Sequence, residues 1–407
     1  MTKKSYPPLL VGMLMIIAMA AITSCEDILG EWSKPAPNHV VPEPEPEPET
    51  PVKLTSITLN KPNTTLNVGA TETLTVATVA PDDATDKTVT WSSDKDAVAT
   101  VDDNGLVTAV AVGTAIITAT AKDGSGVTDK CTVTVSVPGL LTGEFSVAAD
   151  KIVRFAQGNL QYQASTSTWR FADHQYDYVG NAVGNTTSTG RDTQADWIDL
   201  FGWGTAGHSF ASGYGTAYQP WARSPTQTDY GPTGTSNLTG TYVQGDWGTN
   251  AISNGGNTPN SGWRTLTQAE WAYLFNGRTS VAIRYCKATV NSKTGVVLFP
   301  DSYTHPDGVA AINSANTTDA ACTTNSWSSD DWTKMESAGC VFLPAAGFHN
   351  NTTVDGVGTY GSYWSSTVYD ANKAYGLNFK PDGTLLNPAY DNDRFYGVSV
   401  RLVRLVE

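Results

Sequence analysis

Near the end of the chain, Tyr360, Ser362, Tyr369, Asp370, Asn372, Tyr375, Asn387, Tyr390, Asp391, Asn392, Asp393, Phe395 and Tyr396 crowd into fewer than forty positions. These residue types divide the work of recognition between them. Tyrosine offers a large rigid contact face at low entropic cost, and Asn, Asp and Ser offer adaptable hydrogen bonds. Aromatic faces suit sugar rings, and carboxylate and amide groups suit hydroxyls, so the ligand expected here is an extracellular protein or a glycan. Tyr360, Tyr369, Asp370, Asn372, Tyr375, Tyr390, Asp391, Asn392, Asp393, Phe395 and Tyr396 are the candidate ligand-binding residues, placed in loops between framework segments.

Catalytic chemistry finds less support. The histidines, His39, His174, His208, His305 and His349, are scattered, and none stands four residues from another with a Glu between, as a zinc helix would require. Asp301 and Asp307 flank Tyr303-Thr304-His305, but their spacing fits no calcium loop and reads as a solvated loop. Gly202-Trp203-Gly204 and Gly255-Gly256 lack the Lys-Ser/Thr and the βαβ setting of a phosphate loop, so they read as turns. No catalytic residue, metal site or cofactor is expected. Cys131 stands alone in its region and reads as a buried thiol; of Cys286, Cys322 and Cys340, the pair Cys322 and Cys340 is the first to test for a bridge.

The recognition palette must be held by something. Lys373 to Lys380 alternates as a strand, Pro381-Asp382-Gly383 is a turn, and Thr384 to Asn387 is its hairpin partner; Val398 to Leu402 is a closing strand. Thr267-Gln268-Ala269-Glu270 reads as a capping box for a helix through Phe275, with Trp271, Leu274 and Phe275 on one face and Gly277 as its stop. A second helix runs from about Asp330 to Ala338, capped by Ser328 or Ser329, with Trp332 and Met335 inward and Gly339 as stop. A short third helix is expected from Ala195 to Phe201. Ten tryptophans, from Trp169 to Trp364, are spread along irregular sequence, so the core of this region is built largely from loops. Gly262-Trp-Arg-Thr-Leu-Thr267, Glu270-Trp271, Val341-Phe-Leu-Pro-Ala-Ala-Gly347, Tyr363-Trp-Ser-Ser-Thr367 and Ser399-Val-Arg-Leu-Val403 come in an order that resembles surface-protein domains of Bacteroidetes and Fibrobacter with a C-type lectin-like fold, distantly akin to formylglycine-generating enzymes. That resemblance implies an α+β C-type lectin-like domain over residues 142–407, with Tyr363 and Trp364 in its core. The paired cysteines of the enzymes have no counterpart after Cys340. The tail also resembles the variable regions of proteins diversified by retroelements.

Residues 52–138 differ in kind. Leu54 to Leu59, Glu72 to Val76, Thr88 to Trp91, Leu106 to Ala109, Thr114 to Ala121 and Thr132 to Val137 alternate as short strands, and Asp103-Asn104-Gly105 supplies a tight turn. Many short strands with turn signals between them imply a sandwich with Trp91 inside. Leu59-Asn-Lys, Leu66-Asn-Val-Gly69, Val89-Thr-Trp-Ser-Ser93, Val98-Ala-Thr-Val101, Gly105-Leu-Val-Thr-Ala109 and Gly113-Thr-Ala closely resemble bacterial Ig-like domains of group 2, and that resemblance implies a spacer of the kind found in surface adhesins, which rarely carries catalysis.

The N-terminus supplies an address. Lys3 and Lys4 precede an apolar run from Leu9 to Ile22, too short to span a bilayer as a helix, so residues 1–24 read as a signal peptide. Ala21-Ile22-Thr23-Ser24-Cys25 resembles the lipobox of bacterial lipoproteins, which implies lipid attachment at Cys25 and anchoring to the outer membrane, exposed at the cell surface. Residues 25–51 carry Pro-Glu repeats from Pro42 to Glu49; as polyproline II this tether reaches about 80 Å at ~3.1 Å per residue. With 39 acidic and 25 basic side chains in 407 residues, a net charge of −14 argues against nucleic-acid binding, and 16 basic against 22 acidic side chains in residues 142–407 disfavour polyanionic glycans. The expected molecule is a mainly β, membrane-anchored surface protein in which an Ig-like β-sandwich presents a recognition domain. A structural or tip subunit of a surface fibre is the second reading, and an oxidase-like enzyme the third.

Overall fold

The computed structural model describes residues 50–186, 195–206, 234–350 and 353–406. The signal peptide, Cys25, nearly all of the tether, His39, His208 and Trp221 lie outside them. Among the described residues no helix is long and apolar enough to cross a membrane.

The first domain is built of alternating strands. Asn63–Asn67, Thr128–Ser136, Gly113–Ala121 and Val89–Ser93 form one sheet in that order, and Thr71–Thr73, Leu106–Ala109 and Ala99–Val101 a second. Ser56–Leu59 pairs separately with Val76–Ala80. The period of two decides what goes inside. Ala115, Ile117, Ala119, Cys131, Val133 and Val135 are buried, while Ile116 between them is 36% exposed. Trp91 is half-buried against this core, and Gly105 explains how it fits. Gly105 has φ +79°, and a Cβ there would lie 2.4 Å from the Leu74 carbonyl and 3.0 Å from the Trp91 ring. The turn therefore demands glycine twice, for its backbone and for its neighbour. The run Glu72–Val76 divides into two strands, and Asn63–Asn67 and Ala99–Val101 are strands that the alternation did not single out.

The connection to the second domain is packed. Val137 joins the next core, and Leu141 N donates to Phe155 O at 2.9 Å. In that domain Phe145–Ala148, Lys151–Phe155, Leu402–Leu405 and Arg264–Thr265 form one sheet, so its first strands pair with its last. Ser326–Trp327, Tyr285–Val290, Lys293–Leu298 and Val341–Pro344 form a second; Thr168–Phe171, Leu160–Gln163 and Trp197–Ile198 a third; and Gly361–Val368, Lys373–Phe379 and Leu386–Asp393 a fourth. The buried indoles show how so much irregular chain is fixed. Trp203 Nε1 donates to Ser365 O (2.8 Å), Trp364 Nε1 to Phe201 O (2.6 Å), Trp271 Nε1 to Trp364 O (3.2 Å) and Trp263 Nε1 to Gly255 O (2.9 Å). Each fills apolar space and gives its N–H to a backbone carbonyl of another segment. Tyr363 and Trp364 are fully buried.

The helices follow their caps. Gln268–Ala272 begins at a Thr267/Glu270 capping box and widens into a π turn over Tyr273–Gly277, with Trp271, Leu274 and Phe275 buried. Ser329–Ser337 begins at a Ser328/Asp331 box and buries Trp332 and Met335. Three expectations need correction. Residues 195–201 form no helix: Trp197–Ile198 is a short strand pairing with Tyr162 and Gln163, and Arg170 stacks 3.9 Å over the Trp197 ring. The closing strand is Leu402–Leu405 rather than Val398–Leu402, whose Val398 and Ser399 make only isolated bridges. Cys322 and Cys340 are not joined. All four described cysteines are free and buried, with the Cys322 thiol donating to Gly295 O at 3.2 Å.

Candidate functional site

The hairpin that carries much of the recognition palette is longer than its turn signal implied. Its return strand runs from Leu386 to Asp393, so Tyr390, Asp391, Asn392 and Asp393 lie on an edge strand, and Tyr375 on its partner, rather than in loops. Pro388 shows why the pattern was hard to read. Proline cannot donate to a ladder and is confined to edges and bulges. Here Gly376 pairs with Tyr390 and Asn378 with Asn387, so Pro388 and Ala389 together oppose Leu377 in a bulge that ends immediately before Tyr390.

Beneath the strand lies a buried amide pair. Asn378 Nδ2 donates to Asn392 Oδ1 (2.8 Å) and to the Tyr360 hydroxyl (2.9 Å), while Asn378 Oδ1 accepts from Asn392 Nδ2 (3.1 Å) and Ser362 Oγ (2.7 Å). Asn378 thereby spends all of its hydrogen-bonding capacity on its neighbours. The pair fits because residue 376 is glycine: a Cβ there would lie 2.6 Å from Tyr363 O and 2.9 Å from Asn392 Nδ2. Gly376→Ala is accordingly expected to cost about 2 kcal/mol through overpacking. Thermal unfolding checks this, and an unchanged midpoint would show that the pair can shift aside.

Above it opens a cleft of about 280 Å³ lined by Phe348, Tyr360, Lys373, Tyr390, Asp391, Asn392, Asp393 and Tyr396. Phe348 anchors its aromatic side, with ring centroids 5.3 Å from Tyr360 and 5.4 Å from Tyr396. Burial pushes the hydroxyl pKa of Tyr360 up, and burial and then the charge of Asp393 push that of Tyr396 up, so both are neutral at physiological pH. On the charged side Lys373 Nζ lies 2.7 Å from Asp391 Oδ2. The hydrogen bond to Asp391, with further pull from Asp391, Asp393 and Asp370, raises the Lys373 pKa.

Six of the candidate residues thus share one cleft: Tyr360, Tyr390, Asp391, Asn392, Asp393 and Tyr396. The others do not line it. Tyr369 and Tyr375 meet edge-on at 5.1 Å, and Asp370 accepts from Asn372 N and Lys373 N within its own turn. Phe395 packs against Tyr396, with ring centroids 4.7 Å apart. Cys25 lies outside the described residues. Phe348 and Lys373 belong to the cleft although composition alone did not select them; the alternation of the strand at 373 was the available signal. Arg394 is a further supporting residue, stacked 4.6 Å over Trp203 and donating to Gly234 O and Asp370 O.

The remaining polar clusters have structural partners. Asp301 accepts from Ser146 N (2.8 Å) and Arg278 Nη1 (3.1 Å), so it tethers a strand and is no solvated loop residue. The Tyr303 hydroxyl meets His305 Nδ1 at 2.7 Å. Among the described residues no group of three or more His, Cys, Asp or Glu side chains is arranged to hold a metal ion.

Comparison with known proteins separates the two halves. The family model for the bacterial Ig-like domain (group 2) matches residues 53–135. Residues 53–135 form such a domain. This Ig-like domain is 49% identical over 85 residues to an uncharacterised protein of Clostridium acetobutylicum, covering 21% of this chain and 9% of that one. It is 48% identical over 86 residues to an Ig-like virion protein of Serratia phage KSP90, covering 21% and 33%. A lacto-N-biosidase of Bifidobacterium bifidum is 53% identical over 76 residues, covering 18% and 7%. The chain therefore spans a third or less of each of these relatives. A model described as a domain of unknown function (DUF8237) matches residues 305–403, the stretch that contains every residue of the cleft.

Proposed function

We propose that this chain is a lipid-anchored bacterial surface protein whose Ig-like domain spaces a C-type lectin-like domain from the membrane, and that the domain captures an extracellular ligand in the Tyr360–Tyr396 cleft. The observation that carries the reading is the cleft itself. Aromatic rings, carboxylates and an amide converge there from separate segments, at the rim of a domain with densely packed cores. A rigid scaffold presenting aromatic anchors is the arrangement that binding surfaces use, because little conformational entropy is lost on contact. The apolar run from Leu9 to Ile22 ahead of Cys25 supports the anchor, and the Pro-Glu tether supports display.

The test is an array of glycans and extracellular proteins probed with the full chain, beside Tyr390→Ala/Tyr396→Ala. The double variant is expected to lose at least about 100-fold in affinity, since buried aromatic anchors dominate such contacts, while its circular dichroism stays that of the parent. A ligand held equally well by the double variant would move the site elsewhere on the domain.

A further inference from the structure

Part of the cleft's hydrogen-bonding inventory is consumed before any ligand arrives. Asn392 and the Tyr360 hydroxyl are engaged by Asn378 beneath the cleft. Asp391 is held by Lys373 at 2.7 Å. A sugar is recognised through directional hydrogen bonds to its hydroxyls, and the Asn378–Asn392 and Lys373–Asp391 pairs leave fewer groups to supply them. Aromatic surface and negative charge do remain. Phe348, Tyr360, Tyr390 and Tyr396 line the space, Tyr390 is 36% exposed, and Asp391 and Asp393 face a single ammonium. Ring faces and carboxylates attract a cation without needing it to donate a hydrogen bond.

We infer that the group recognised by this cleft is an organic cation, specifically a quaternary or methylated ammonium seated among Phe348, Tyr360, Tyr390 and Tyr396 beside Asp393. The inference rests on the reading that this cleft is the binding site, and it names the ligand class. The field acting on Lys373 is independent support: Asp391, Asp393 and Asp370 together favour its charged form, and the same field acts on any ammonium entering beside it. A ligand of this kind is carried either by the choline headgroup of a lipid or by a soluble or protein-borne trimethylammonium group, and the chemistry of the site is shared by both.

The experiment titrates the full chain, with its tyrosines isotopically labelled, with tetramethylammonium chloride, and with sodium chloride and methyl glucoside as controls. Saturable shifts of tyrosine ring signals with tetramethylammonium alone are expected. Tyr390→Ala/Tyr396→Ala should weaken binding at least tenfold, and Asp393→Asn about threefold to tenfold, as contacts of this strength predict. Retention of phosphatidylcholine vesicles, with phosphatidylglycerol vesicles left unbound, would assign the lipid source; binding of free choline without vesicle retention would assign the soluble one. Saturation by methyl glucoside but not tetramethylammonium would overturn the cation and leave the cleft as the site. Array ligands lost in the double variant while tetramethylammonium stays silent would do the same. Tetramethylammonium binding that survives the double variant would overturn the placement.

Discussion

Arg401→Met is expected to destabilise the second domain by about 4 kcal/mol, lowering its thermal midpoint by about 10 °C. Arg401 is fully buried. Its guanidinium donates to Asn159 Oδ1 (3.1 Å), Ala156 O (3.1 Å), Gln175 O (3.4 Å) and Phe342 O (2.8 Å), so one side chain joins its own segment to three others far apart in sequence. All four partners are neutral oxygens. Burial pulls its pKa down to about 10, and it stays charged at neutral pH. Methionine fills similar space but leaves four acceptors in a dry interior, each costing roughly 1 kcal/mol or more. Arg401→Lys, which keeps the charge with fewer donors, should fall between. Lys130→Met on an exposed strand position should stay within about 0.5 kcal/mol of the parent. Urea unfolding followed by near-ultraviolet circular dichroism measures all three, and a loss below about 1 kcal/mol for Arg401→Met would show that the segments are held without it.

The role of Arg401 was only half legible in the sequence. Its place in Ser399-Val-Arg-Leu-Val403 marked a framework segment, but alternation put a charged residue where nothing said it would be buried. Only the tertiary structure shows that Ala156, Gln175 and Phe342 turn their carbonyls to one point. The same division runs through the molecule. Local signals sufficed where the physics is local: the capping box at Thr267, a serine cap at 328 or 329, the turn at Gly105 and the alternation of Gly113–Ala121 read directly. They failed where a long-range partner decides. Trp197 lies in a strand because Gln163 and Arg170 hold it, and Tyr390–Asp393 extends a strand across a proline-bearing bulge because Lys373–Gly376 pairs with it. In the candidate site, residue types pointed to the right stretch of chain. They could not separate Tyr390 and Tyr396, which line the cleft, from Tyr369 and Tyr375, which pack on each other, nor bring in Phe348 from another segment.

That dependence on buried polar joints extends to pH. Asp199 is fully buried and takes hydrogen bonds from Asn185 Nδ2 (2.7 Å) and Val179 N (2.6 Å), while its own N–H donates to Asn185 Oδ1 (3.1 Å). The carboxyl pins the segment around 179–186 beside the strand Trp197–Ile198. Desolvation outweighs these bonds and raises its pKa from 3.8 to about 6. A folded pKa above the unfolded one means that the native state favours the protonated acid. Well below pH 4 both states are protonated and the group costs nothing. As pH rises through the interval between the two values the native state loses stability, approaching about 3 kcal/mol only about a unit above the folded value. Carboxylates such as Glu270, whose pKa is lowered when the Arg264 hydrogen bond is set against burial, act in the opposite direction, so the total profile mixes both. The difference between the parent and Asp199→Asn isolates the one group, because every other carboxylate is common to the two proteins. Measured by urea unfolding from pH 4 to 6.5, the stability of the parent relative to Asp199→Asn is expected to fall by about 2 kcal/mol, most steeply near pH 5. A difference that stays level across that interval would mean that water or a rearranged Asn185 relieves the buried charge, and that the joint between 179–186 and Asp199 is looser than its hydrogen bonds indicate.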